Sequence, residues 1–195
     1  MAFFLSAGGE FDAEVQGVRV VLRPPVMADY PAWAQLRALS RQTLEAWEPQ
    51  WARDELSRSA FRRRLRQYQR EAREDQGYAY FIVHKQDGAL LGSITLSNVR
   101  RGVSQSAAVG YWIGAPYANQ GLMTDAVAAL VRHAYANLGL HRLEAACMPA
   151  NVASRRVLAK SGFRHEGVGR SYLKIAGQWQ DHDLYARLSE DEVEV

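Results

Sequence analysis

The sequence predicts an α/β (α+β) fold: a mixed, mostly antiparallel sheet with one parallel pair, flanked by helices. Three observations predict it. An apolar strand over Ala107–Gly114 is followed by a helix whose apolar positions Val127, Leu130, Val131, Ala134 and Leu138 keep helical spacing, and then by a second apolar strand over Leu143–Met148. A helical crossover of that kind joins parallel neighbours. Tyr78–His84 and Ala89–Asn98 flank the turn signal Gln86-Asp87-Gly88 and therefore form a hairpin, and His165–Lys174 and Gln178–Leu188 do the same across Ile175-Ala-Gly177.

The other elements follow in order. Residues 1–17, with Phe3, Phe4 and Leu5, read as an N-terminal extension or an edge strand. Val18–Arg23 is a first strand that ends where Pro24-Pro25 forbid further pairing. Asp29 caps a helix that carries Trp33, Leu36 and Leu39, with Pro31 tolerated in its first turn. Ser40–Trp51 is an aromatic-rich connection with two readings: Trp47 and Trp51 close a core edge, or they give rigid aromatic surface beside which Glu48 holds a cationic amine. A helix over about Glu55–Asp75 sets Leu56, Phe61, Leu65, Tyr68 and Ala72 on one face. Its other face holds Arg58, Arg62, Arg63, Arg64, Arg66, Arg70 and Arg73 and reads first as solvated. Docking onto ribosomal RNA or a charged protein surface is the lesser reading of that face, because no aromatic stacking platform or nucleic-acid motif, DNA-binding motifs included, accompanies it. Arg100–Gln105 is a polar loop, and Ser189–Val195 an acidic, fraying tail.

Composition bounds the class. The 195 residues are 48% hydrophobic and 23% charged, which fits one domain over residues 1–195 with a single sizeable core. No apolar run suits a bilayer, and Met1–Leu5 lacks a basic n-region, so neither a membrane span nor a signal peptide is expected. The single cysteine, Cys147, rules out an intramolecular disulfide and points to a reducing cytoplasm. The net charge of +3 is too small to indicate a partner.

Candidate chemistry gathers at two helix starts. Asn119-Gln120-Gly121 opens the crossover helix, where N–H groups have no intrahelical acceptor and the peptide dipoles add positive charge. Gly121, without a Cβ, would let a phosphate approach the main chain. Asn151 caps a second helix that carries Ser154 and Leu158 and ends at Gly162. A glycine before a helix is, by itself, more often a plain turn residue.

With both stretches in view, the chain resembles the GNAT superfamily of acetyl-CoA-dependent N-acetyltransferases. Ala118, Asn119, Gln120, Gly121, Leu122 and Met123 occupy the family's Arg/Gln-x-x-Gly-x-Gly/Ala motif, departing from it at the first and last positions. Tyr117-Ala-Asn-Gln-Gly-Leu-Met-Thr124, Leu22-Arg-Pro24, Trp47-Glu-Pro-Gln-Trp51 and Gly177-Gln-Trp-Gln-Asp-His182 resemble the branch that acetylates ribosomal-protein N-terminal alanine. The resemblance covers about residues 18–188. It implies that the two parallel strands splay, with acetyl-CoA between them. Trp112, Ile113, Gly114, Asn119, Gln120, Gly121, Leu122, Met123, Thr124, Asn151, Ser154, Arg155, Arg156 and Lys160 would then hold the cofactor.

The implied reaction is attack of a primary amine on the thioester, the acceptor being the N-terminus of a ribosomal protein. An oxyanion would meet the backbone N–H of Trp112 or Ile113. The tyrosine acid of many GNAT enzymes is vacant here, since Leu158 holds its place, and the resemblance passes the role to Ser154. The residue also reads simply as a first-turn serine bonded to backbone. Glu48, or a water relayed through Ser171 or Tyr172, is the candidate base. In Asp181-His182-Asp183 the alternation of a strand sets His182 opposite the two carboxylates, which favours structural hydrogen bonds, and no metal is expected. A small-amine acceptor, or acetyl-CoA binding without turnover, are the alternative functions. The resemblance is compatible with a monomer or a homodimer.

Overall fold

The computed structural model describes residues 14–191. Its strands are β1 (Val15–Gln16), β2 (Val20–Arg23), β3 (Tyr78–His84), β4 (Leu90–Arg100), β5 (Ser106–Ile113), β6 (Arg142–Cys147), β7 (Arg164–Ile175) and β8 (Gln178–Leu188). Its helices are α1 (Tyr30–Leu39), α2 (Arg41–Leu44), α3 (Arg58–Arg73), α4 (Leu122–Ala136) and α5 (Val152–Lys160). One sheet runs β1-β2-β3-β4-β5-β6-β8-β7, with β5 and β6 its parallel pair. Helix α4 is the crossover between them, as its apolar spacing predicts.

Side chains that alternate along β3 feed two cores. Tyr80 and Ile82 join the larger one, with Val127, Leu130 and Ala134 of α4 and Leu158 of α5. Phe81, between them, points the other way and meets Trp33 of α1 and Phe61 and Leu65 of α3. Helices α4 and α5 therefore cover one face of the sheet, and α1 and α3 the other. The Trp33 and Phe61 rings stand 4.8 Å apart in a tilted pair that fixes α1 against α3.

Several local expectations change. Phe3, Phe4 and Leu5 lie outside the described residues, while Val15 and Gln16 add a short edge strand against Leu22 and Val21. Asp29 does not cap α1 with its side chain. Its carboxylate is taken by Arg23, at 2.5 and 2.9 Å, and by the Val26 N–H at 2.8 Å. A charged partner outcompetes an N-cap bond here. Leu39 is exposed, and Arg37 turns inward beside Trp33 and Leu36. The start of the tail is tied down rather than frayed: Ser189 N–H donates to His141 O, and Asp191 pairs with Arg164.

The arginine face of α3 divides. Arg63 pairs with Asp54 and Arg64 with Glu55, whereas Arg58, Arg62, Arg66, Arg70 and Arg73 are exposed. Arg64 faces into the molecule, toward the site described next.

Candidate active site

Strands β5 and β6 pair only at Ser106↔Arg142, Ala107↔Leu143 and Ala108↔Glu144. Both continue beyond that point, β5 to Ile113 and β6 to Cys147, so a gap opens between them. The gap is the floor of a cavity of about 870 Å³. Exposed backbone edges inside a sheet are costly unless something pairs with them, which marks the gap as a ligand groove.

The alternation of β5 decides which amides face the gap. Gly114 N–H donates to Leu91 O at 2.8 Å, on the β4 side. In the same register, Trp112 lies opposite Ser93 and Ile113 opposite Gly92. Trp112 N–H therefore shares the β4 side with Gly114, and Ile113 N–H points toward β6. Of the two expected oxyanion donors, Ile113 is the one whose amide faces the groove. Gly114 has another task. A Cβ there would lie 2.3 Å from Leu36 Cδ1, so the missing side chain admits α1 rather than a ligand.

At the head of the cavity the chain turns into α4. Asn119 (φ 60°) and Gly121 (φ 74°) are both left-handed, a conformation that suits asparagine and glycine. The first helical bond is from Asp125 N–H to Gly121 O at 3.1 Å, which leaves the amides of Leu122, Met123 and Thr124 without intrahelical acceptors. Asn119, Gln120, Gly121, Leu122, Met123 and Thr124 all line the cavity. The elbow is thus an amide cradle at the positive end of a helix of 15 residues.

Helix α5 forms the opposite wall. Asn151 Oδ1 accepts the Ser154 N–H at 3.0 Å, a side-chain N-cap. At the other end Gly162 (φ 75°) and the bond from Phe163 N–H to Leu158 O close the helix. Asn151→Ala is expected to lower stability by about 1 kcal/mol, read from the midpoint of urea unfolding. Ser154, Arg156 and Lys160 line the cavity. Arg155 does not: its Nε lies 3.3 Å from the Asp183 carboxylate.

The Ser154 hydroxyl lies 2.8 Å from the Tyr111 hydroxyl, across the gap from β5. Burial pushes the Tyr111 phenol well above its usual range, so it stays protonated and able to donate. The Cys147 thiol, also on the cavity wall, is pushed up by burial as well, and Ser154 hydrogen bonding opposes that rise only in part. Tyr111 escapes a sequence reading, because an alternating apolar strand gives no sign that one of its tyrosines reaches another helix.

A second pocket of about 400 Å³ adjoins the cavity and shares Glu48, Pro49, Gly110, Tyr111 and Trp112 with it. Its organising residue is Arg37, with a side chain only 5% exposed. The guanidinium donates to both Glu48 oxygens, at 2.7 and 2.8 Å, and lies 3.6 Å from Glu55. It sits over the Trp51 ring at 4.3 Å and the Trp112 ring at 5.0 Å. Trp51 Nε1 donates to Glu48 at 2.7 Å as well. Glu48 therefore accepts three N–H bonds, out of roughly four acceptor sites on a carboxylate. Trp51 acts less as a core-edge filler than as a lid on this ion pair.

The remaining candidates separate. Tyr172 stands outside the cavity wall, 48% exposed, with its ring 5.8 Å from that of His182. Ser171 gives its N–H to Asp181 at 2.7 Å. His182 lines the cavity and bonds Gln180 O through Nδ1 at 3.0 Å. His182 and Asp183 are both buried, because β8 is covered on both faces here. Among the described residues no cluster of three or more His, Cys, Asp or Glu has metal-holding geometry. Nor is any described helix long and apolar enough to cross a membrane.

Known proteins match this architecture. Residues 19–164 match the model of the acetyltransferase (GNAT) domain. The chain is 34% identical to the probable N-acetyltransferase YjcK of Bacillus subtilis, over 91% of this chain and 98% of that protein. It is 32% identical to the [ribosomal protein uS5]-alanine N-acetyltransferase of Escherichia coli, over 89% of each chain. Its fold is similar to that of Mycobacterium smegmatis RimJ in complex with CoA-disulfide, with a TM-score of 0.88 and 34% identity, over 92% of this chain and 89% of that one. A splayed parallel pair, an amide cradle at the head of the crossover helix and these relatives converge: the chain belongs to the GNAT acetyltransferase family.

Proposed function

We propose that this protein transfers the acetyl group of acetyl-CoA to the terminal α-amino group of a cytoplasmic protein, namely a ribosomal protein with N-terminal alanine. The observation that carries this reading is the junction at Tyr111 and Trp112. There the long cavity, with its amide cradle, meets a polar pocket walled by Glu48. One space suits an extended phosphorylated cofactor and the other an amine acceptor. Similarity to the uS5-alanine N-acetyltransferase supports the choice of acceptor.

Acetyl-CoA fits the residues present. The cradle amides at Gly121–Thr124 and the Arg156 and Lys160 side chains suit its phosphates, and the open edges of β5 and β6 suit the amides of its pantetheine arm. When bound, it supplies the thioester. Ile113 N–H faces the oxyanion that develops as the amine attacks. Ser154 would give a proton to the departing sulfur and recover one from solvent water, while the Tyr111 hydroxyl, held protonated, orients Ser154 through their hydrogen bond. An α-amino group has a pKa of about 7.7–8.0, so a fraction is already neutral near pH 7. A strong base is then unnecessary. Glu48, with one acceptor site left over, holds the incoming ammonium and takes its proton through water.

The test is acetyl transfer read by mass spectrometry. The acceptors are peptides with N-terminal Ala, Ser or Met, a blocked peptide with an internal lysine, and small amines. Preferential modification of the free Ala terminus is expected, whereas transfer to small amines alone counts against the protein acceptor. Ser154→Ala is expected to lower kcat by about 10- to 100-fold, with KM for acetyl-CoA changed by less than about threefold. Full turnover in that variant removes Ser154 as the proton donor.

A further inference from the structure

The family motif places an arginine or glutamine at the position held here by Ala118, whose side chain has no charge or donor to offer a phosphate. A cation reaches the same loop from elsewhere in the chain. Arg19, in the turn between β1 and β2, sends its Nη2 to the carbonyl of Gln120 at 2.9 Å. It comes so close that a Cβ on Gly121 would lie 3.0 Å from that nitrogen. Among the described residues no carboxylate forms an ion pair with Arg19, and one of its five N–H donors is used in this contact.

The turn that carries Arg19 is held in place. The Asp125 carboxylate, in the first turn of α4, accepts the N–H groups of Val18, Arg19 and Val20 at 2.8, 2.6 and 3.2 Å. Three donors and the helix dipole balance the Asp125 charge locally. The Arg19 backbone is thus pinned to the same helix start whose loop its side chain grips.

We infer that Arg19 is a positioning residue for the pyrophosphate of acetyl-CoA, acting through the peptide that links Gln120 to Gly121. The peptide is trans, so its carbonyl and its N–H point in opposite directions. By gripping the carbonyl from behind, Arg19 turns the Gly121 N–H forward into the cradle. The bond also polarises that amide. The Gly121 N–H has no partner among the described residues and is free to meet a phosphate oxygen. The guanidinium adds a full positive charge behind the loop, in place of the missing motif side chain. Two left-handed residues flank Gln120, Asn119 and Gly121, and a loop of that shape has other peptide orientations within reach unless something selects one.

This inference rests on the reading that acetyl-CoA fills the cavity, and its test keeps the two apart. Dissociation constants are measured by calorimetry for CoA and for dephospho-CoA, which keeps the pyrophosphate. KM is measured for acetyl-CoA and for S-acetylpantetheine, which has none. Arg19→Ala is expected to weaken CoA and dephospho-CoA by about tenfold, as loss of a charge-assisted contact implies, and to leave KM for S-acetylpantetheine and kcat unchanged. Arg19→Lys, which keeps a charge and a donor, is expected to stay within about threefold of the original protein. Equal losses with S-acetylpantetheine would show a general distortion of the loop and overturn the inference. So would an Arg19→Ala protein that binds CoA normally. If the unaltered protein binds no CoA at all, the cofactor reading itself fails, and the inference falls with it.

Discussion

Gly121→Val is expected to fold and to bind CoA at least about a hundredfold more weakly than the original protein. Two physical effects add. Gly121 sits at φ 74°, ψ 2°, in the left-handed region, where an L-residue costs roughly 1–2 kcal/mol and a β-branched one more. The loop can relieve that strain only by rotating peptides, which turns cradle amides away from the phosphate. A charge-assisted hydrogen bond contributes about 1.5–3 kcal/mol, so two lost bonds alone give a hundredfold or more. The new side chain also presses on Arg19, whose Nη2 would lie 3.0 Å from its Cβ. Calorimetric titration with CoA reads the affinity, and urea unfolding separates it from a stability loss of at least about 2 kcal/mol. A dissociation constant within about threefold of the original would mean that the cradle amides do not hold the phosphates.

Arg37→Ala carries the largest expected cost in stability, about 3 kcal/mol, with acetyl transfer lost along with it. The side chain is buried between two indole rings and holds Glu48 with two hydrogen bonds. Its removal leaves the Glu48 side chain, 21% exposed, with only the Trp51 N–H and empties the space between the rings. Glu55 is spared the full effect because Arg64 also pairs with it, at 2.5 Å. Partial exposure of the carboxylates keeps the figure at the low end of the range for broken buried pairs. Replacing both partners, Arg37→Met with Glu48→Leu, is expected to recover most of the stability and none of the transfer. Urea unfolding of both variants, beside the mass-spectrometric assay, decides the matter. If Arg37→Ala unfolds at the original midpoint, the ion pair is not what holds the wall of the second pocket.

These two variants also mark how legible the protein was before folding. Gly121 could be singled out from its neighbours alone, since an elbow of Asn-Gln-Gly ahead of a 3.6-period apolar stripe is a local pattern. Asn151 and Gly162 were readable for the same reason, as cap and terminator of one short helix. Hairpin turns and the helical crossover between β5 and β6 likewise follow from periodicity, and with them the sheet and its one parallel pair. Arg37 could not be found this way. Helical spacing placed Leu39 inward with Trp33 and Leu36, yet Leu39 is exposed and Arg37 is buried, because a nearby carboxylate and two rings can hold a guanidinium.

Within the site, the sequence by itself determined which segments form it: the elbow before α4, the capped start of α5 and the tryptophan-rich connection after α1. Which side chains meet was decided only by the tertiary structure. Tyr111 reaches Ser154 across 43 residues, Arg37 stacks on Trp112 across the α1–β5 contact, and Arg19 grips Gln120 across 101 residues. Gly114 and Arg155, which lie in the right segments, are turned to Leu36 and to Asp183 instead. The physical reason is the range of the forces involved. Helical and strand periods, caps and turns are set by neighbours within a few residues, so local composition exposes them. Hydrogen bonds and ion pairs between distant residues depend on strand order, on where two strands part and on which rotamer a packed wall permits, and those are properties of the assembled sheet.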